Sequence, residues 1–219
     1  MDDSKRRQIK TCFRQSMNAD LSNSMRSHGL NYKIIFGVPA PRIRLIAQQF
    51  EPNATDAEEL WQENVRESKI LATYLFPVSQ MTPELAQQWV EQIPYTEIAD
   101  QVCMNLFSQL SFAKQLAFEW VDRTDSMVQY TGIRLLSRLL MNGHHLSEEE
   151  IHLLSKHLRL LLQSKVAYVQ TGAIHLSEKM IESDKQSAHI LYQTLQDWRT
   201  DEELVNKQLF DFLFGEESL

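Results

Sequence analysis

Residues 127–140 read MVQYTGIRLLSRLL, and residues 168–180 read YVQTGAIHLSEKM. Each carries Val-Gln near its start (Val128-Gln129 and Val169-Gln170), a small residue four places after the Val (Gly132, Ala173) and a leucine one turn further on (Leu136, Leu176). Val128 and Val169 are 41 residues apart. Apolar positions recur with helical period in both, so each stretch is predicted to be an amphipathic helix. One helical pattern returning after about 40 residues marks a helical repeat protein, whose units bury their apolar faces against one another.

The composition agrees with long helices on short connections. Six Gly and six Pro in 219 residues leave little turn or linker, and 43% hydrophobic with 23% charged residues is the balance of an ordinary globular chain. No apolar run approaches the ~18 residues of a membrane span. The opening MDDSKRRQIK has no apolar segment of a secretory leader, and Cys12 and Cys103 form no CxxC pair. A reduced, cytoplasmic protein is expected. The net charge of −7 is uneven: residues 1–44 hold nine Lys and Arg against three Asp, a local +6, and the remainder carries −13. A basic end on an acidic body is read as a solvated helix face or a small phosphate-binding patch.

Working outward, residues 4–28 are predicted to form one helix, and Pro41 fits the first turn of another running to Phe50. Thr55-x-x-Glu58 caps a run that breaks near Gln62–Asn64 and resumes to Phe76. Thr82 with Pro83, Asp125 or Ser126, Ser147-x-x-Glu150 and Thr200-x-x-Glu203 cap later helices. The expectation is an all-α chain of about eleven helices and no strand, a HEAT-like solenoid forming a single domain over residues 1–219.

Several stretches together resemble the HEAT-like DNA alkylation repair family, the AlkD-type DNA glycosylases. GVPAPRIRLIA (37–47) is similar to its G-[IV]-x-x-P-x-x-R entry and LWQENVRESKILATYLF (60–76) to its W…RE helix. EIADQVCMNLF (97–107) sits where the family has Trp-x-x-x-Asp, and MVQYTGI and YVQTGAI resemble its two later Gln-containing helices. The resemblance covers roughly residues 10–200 and implies hydrolysis of the N-glycosidic bond of alkylated purines. The positive charge on such a base makes it a good leaving group, and a nearby carboxylate stabilises the cation that develops on the sugar.

Carried over by position, Asp100 stands at the catalytic Asp. Thr96 stands where the family has Trp, Tyr130 where it has the catalytic Arg, and His175 where it has a second Trp. Those replacements take away a phosphate clamp and two aromatic walls. Asp100 and Glu97, spaced i, i+3, are the catalytic candidates. Tyr95, Thr96, Tyr130, Arg134, His175 and Arg66 are expected to line the concave binding face. Arg134 lies one turn after Tyr130 and is read as a stand-in for the missing Arg, while Arg66 either faces a phosphate or pairs with Glu67. The seven histidines show no metal-ligand spacing, so neither metal nor cofactor is expected. Two partners fit: DNA, held weakly and in a salt-sensitive way, or, for a non-catalytic HEAT module, another protein. No membrane partner is expected.

Overall fold

The computed structural model describes residues 1–215. They form thirteen α-helices with three short 3-10 turns; an isolated bridge joins Ile34 to Val65, and no strand occurs among the described residues. No helix among them is long and apolar enough to cross a membrane. The fold is the all-α, HEAT-like class expected.

Two helices replace the one expected over residues 4–28: α1 (Asp3–Gln15) and α2 (Ala19–Ser27). The cause is Asn18. Its backbone is extended and its side chain accepts the Leu21 N–H at 2.9 Å, so it starts a new helix instead of continuing the old one. Next come α3 (Ala40–Ala47), α4 (Ala54–Gln62), α5 (Arg66–Leu75), α6 (Pro83–Glu91) and α7 (Thr96–Asn105). After them run α8 (Ala113–Val121), α9 (Ser126–Met141), α10 (Glu148–Leu161), α11 (Ala167–Ser183), α12 (Lys185–Leu195) and α13 (Leu204–Phe214). Asp125 caps α9, and Ser147 with Glu150 makes a full capping box on α10. Two expected caps are corrected. Asn53, not Thr55, caps α4, and α13 starts after Glu203 with no side-chain cap.

The helices group into two compact units, Met1–Gln87 with Met104–Leu110, and Gln88–Cys103 with the chain from Ser111 on. In the first, α1 lies along α4 through Lys5–Asp56 at 2.6 Å, Arg6–Glu59 at 2.6 Å and Lys10–Glu63. Three cations of the basic end are thereby matched internally. Glu67 is fully buried. Its carboxylate accepts the Phe36 and Val38 N–H groups at 3.0 and 3.2 Å, while Arg66 Nη1 donates to Glu67 at 3.0 Å and to the Val38 carbonyl at 2.8 Å. The loop so gripped contains Gly37. Its φ of 72° and the collision a Cβ would make with the Asn18 carbonyl exclude any other residue. Two stretches quoted for the resemblance, GVP and RE, are therefore one piece of structure.

In the second unit the repeat is explicit. α8 packs on α9, α9 on α11, α11 on α13, and α10 on α12. Val128 and Val169 are buried in the core. Gln129 donates to the carbonyls of Val121 and Arg123 at 3.1 and 3.0 Å, and Gln170 to that of Leu162 at 2.8 Å. Each Gln thus satisfies carbonyls that the end of the preceding helix leaves unpaired. Gly132 lets α8 approach: a Cβ there would lie 2.7 Å from the Val121 nitrogen and 2.8 Å from the Ala117 oxygen. All four tryptophans, Trp61, Trp89, Trp120 and Trp198, are fully buried core residues.

Candidate functional site

In the second unit α7, α9 and α11 bring four of the sequence-derived candidates together. Arg134 Nε on α9 donates to Asp100 Oδ1 on α7 at 2.6 Å, and Tyr130 Oη donates to the same oxygen at 3.2 Å. Arg134 Nη1 lies 3.2 Å from His175 Nδ1 on α11. A guanidinium only donates, so Nδ1 is the acceptor and a neutral His175 carries its proton on Nε2. Arg134 and His175 are 41 residues apart, the repeat offset itself. The same register that pairs Val128 with Val169 sets these two side chains next to each other.

Burial and charge shape each group. Tyr130 is nearly buried, wedged beneath Gly172 and meeting the Tyr168 ring edge-on at 5.5 Å. Burial, with the Asp100 charge beside it, pushes the phenol well up, so it stays protonated and serves as a donor. Burial disfavours the Arg134 charge, but Asp100 outweighs that and holds its proton more firmly. His175 is pushed down by burial and by the neighbouring Arg134 and Lys179, which keeps it a neutral acceptor. Cys103 is buried, donates to the Thr131 carbonyl at 3.5 Å, and is pushed up by burial, which makes its thiol unreactive.

The Asp100 side chain is 39% exposed and that of Arg134 24%. Asp100 Oδ2 carries no hydrogen bond among the described residues. A shallow recess beside the pair, lined by Asp100, Cys103, Arg134, Ser137, Arg138 and Met141, has room for no more than about one water. Arg138, one turn beyond Arg134, is a half-exposed cation the sequence reading did not single out. Its i, i+4 spacing from Arg134 was the available signal. Tyr95, Thr96 and Glu97 sit half-exposed at the start of α7. Of the two readings of Arg66 the structure has the pairing: the side chain is 2% exposed and its Nη1 donates to Glu67 and to the Val38 carbonyl, so its place on the binding face is corrected to a buried one that holds a loop.

The family model described as DNA alkylation repair enzyme matches residues 9–176. The chain belongs to the DNA alkylation repair enzyme family. No curated protein matches it. The fold is similar to a solved structure presented as a new family of proteins related to the HEAT-like repeat DNA glycosylases with affinity for branched DNA structures. The two share 14% identity with a TM-score of 0.78, over 97% of this chain and 95% of that one.

Proposed function

We propose that this chain is a DNA-binding protein of alkylation repair that meets DNA on the face carrying Asp100, Arg134 and His175, and that it holds DNA rather than excising bases at a repair enzyme's rate. The observation that carries this is the 2.6 Å ion pair between Asp100 and Arg134. A lone carboxylate ~5 Å from a developing sugar cation stabilises it by about 3 kcal/mol at an effective dielectric of ~20. A guanidinium ~4 Å further out cancels about half of that, and ~1.5 kcal/mol is roughly tenfold in rate. Asp100 remains the catalytic candidate, through Oδ2, with Glu97 one turn earlier on the same helix. Tyr95, Thr96, Tyr130, Arg134 and His175 line the proposed face, and Arg138 adds a cation to it. The affinity for branched DNA of the protein with the similar fold supports the DNA reading. The family match runs through residues of both compact units, which supports treating residues 1–219 as one repeat domain.

The test pairs an excision assay on methylated DNA with a salt titration of binding to linear and branched duplexes. The reading expects binding that weakens steeply with salt, little release of methylated purines, and no further loss in Asp100→Asn. Rapid base release that Asp100→Asn abolishes would instead make this a working glycosylase.

One observation favours the second reading, a module for a protein partner. The outer face of α13 exposes Leu204, Val205 and Phe212, and the last two line a groove with Gln170 and Ile174 of α11. Absence of DNA binding even at low salt selects that reading.

A further inference from the structure

The first unit holds an open groove of about 390 Å³ between α3, the 48–52 turn and the end of α5. That volume falls in the range of small-molecule sites. Its floor is apolar: Ala47, Phe50 and Leu75 are buried there. Tyr74 stands half-buried at one wall. The Asn105 amide, which donates to Thr73 at 2.9 Å, lies near enough to the Tyr74 hydroxyl to favour the phenolate against the effect of burial. Arg44 lies close enough to act on the Tyr74 hydroxyl electrostatically. Gln48 and Glu51 complete an exposed polar rim.

These chemistries select a ligand class. An apolar floor beside an aromatic ring fits a flat π-system. Glu51 argues against a groove that only tracks phosphates, because a carboxylate repels them. A carboxylate accepts well, however, from the amino and ring N–H groups of a nucleobase, and a glutamine amide both donates and accepts. Arg44, an exposed cation of the lining, is the group suited to a flanking phosphate.

We propose that this groove receives an unstacked nucleobase of bound DNA, with Tyr74 as its stacking face, Gln48 and Glu51 at its hydrogen-bonding edge, and Arg44 on the adjoining phosphate. The inference rests on the DNA-binding reading above and adds to it what would distinguish a branch or bulge from plain duplex, namely a base outside the stack.

The test uses the full chain with two probes: a duplex carrying one unpaired 2-aminopurine, and the same duplex fully paired. Binding of the wild type is expected to quench the 2-aminopurine. Tyr74→Phe keeps the ring and the quench. Tyr74→Leu loses the quench and binds the bulged probe roughly 5- to 100-fold more weakly, with paired-duplex affinity unchanged. Arg44→Gln, a change at an exposed position, lowers the salt slope on the bulged probe by about 1 and serves if Tyr74→Leu does not fold. A quench that survives Tyr74→Leu, or a bulged-probe salt slope that Arg44→Gln leaves unchanged, overturns the groove while sparing the DNA reading. A wild type that binds neither probe overturns both.

Discussion

Replacing Glu67 by glutamine keeps the shape of the side chain and removes its charge, and the structure sets the cost. The carboxylate is fully buried and takes three hydrogen bonds, from Phe36 N–H at 3.0 Å, Val38 N–H at 3.2 Å and Arg66 Nη1 at 3.0 Å. An amide offers one oxygen in place of two, so its NH2 must face at least one of those donors. An unsatisfied buried donor costs about 1–3 kcal/mol. The guanidinium of Arg66, itself buried, loses the charge of Glu67 beside it, and breaking a buried pair from one side costs about 3–5 kcal/mol. These penalties overlap, so Glu67→Gln is expected to destabilise the protein by about 3–5 kcal/mol. With a urea m-value near ~3 kcal/mol per molar, the unfolding midpoint followed by circular dichroism drops by about 1–1.7 M. Adding Arg66→Met to Glu67→Gln should recover part of the loss, because it removes the buried charge that Glu67 balanced. A midpoint shift for Glu67→Gln below about 0.3 M, which at that m-value is roughly 1 kcal/mol, would refute the argument. So would an Arg66→Met protein of unchanged stability but weaker DNA affinity, which would return Arg66 to the binding face.

The two repeat glycines make a contrast readable in the same unfolding experiment. Gly132→Ala drives a Cβ into α8 backbone and should cost about 1–3 kcal/mol, while at Gly172→Ala the nearest atoms are side-chain ones, the Tyr130 ring at 3.2 Å and Ile133 at 3.3 Å, and the change should be near neutral, helix propensity offsetting the contacts. Gln129→Ala and Gln170→Ala each remove a tie to the preceding helix end and should cost about 1 kcal/mol, with the larger loss at Gln129, which holds two carbonyls. The pKa of His175 is held below its ordinary 6.5, by burial first and then by Arg134 and Lys179. The unfolded chain therefore takes up this proton first as pH falls. Its contribution to stability is whole above about pH 6.5 and is lost as pH drops through the folded value. His175→Gln should flatten that acid-side decline, and an unchanged pH profile would refute the assignment.

The architecture was legible because it is periodic. Val-Gln at a 41-residue offset and the capping sequences at Asp125 and Ser147 are local signals, and the structure keeps them. The break at Asn18 was missed for the same reason in reverse. Apolar spacing from Ile9 through Leu21 and Met25 continues across it, while an Asn side chain reaching the Leu21 N–H decides the matter. Glu67 was invisible as a loop anchor because its partners lie 31 and 29 residues away and are backbone groups, which leave no mark on side-chain pattern. Arg134 was picked out, but as a substitute for a missing clamp. Its pairing with Asp100, 34 residues earlier, requires the packing of α7 on α9.

The candidate site follows from that packing in a way that explains its chemistry. Repeats stack equivalent positions side by side, so a residue's neighbour one repeat on is set by register. Position 134 meets position 175, and an Arg there finds a neutral imidazole that accepts one N–H and leaves the Nε edge for Asp100. Were the imidazole protonated it could not accept, and two like charges would face each other. The depressed His175 is thus part of what holds Arg134 on Asp100, with Tyr130 closing on the same oxygen. The three groups around Asp100 act to neutralise or position its carboxylate, and none serves to expose it. A glycosylase needs the carboxylate's field directed at a sugar, whereas a DNA-holding surface needs only that the cations Arg134 and Arg138 remain within reach of phosphate. The first requirement conflicts with the Asp100–Arg134 bond; the same bond weakens the pull of Arg134 on a phosphate, so the second leans on Arg138, which has no such carboxylate bonded to it among the described residues. On the proposed reading the arrangement therefore weighs toward binding, even though Asp100 stands where the resemblance puts the family's catalytic Asp.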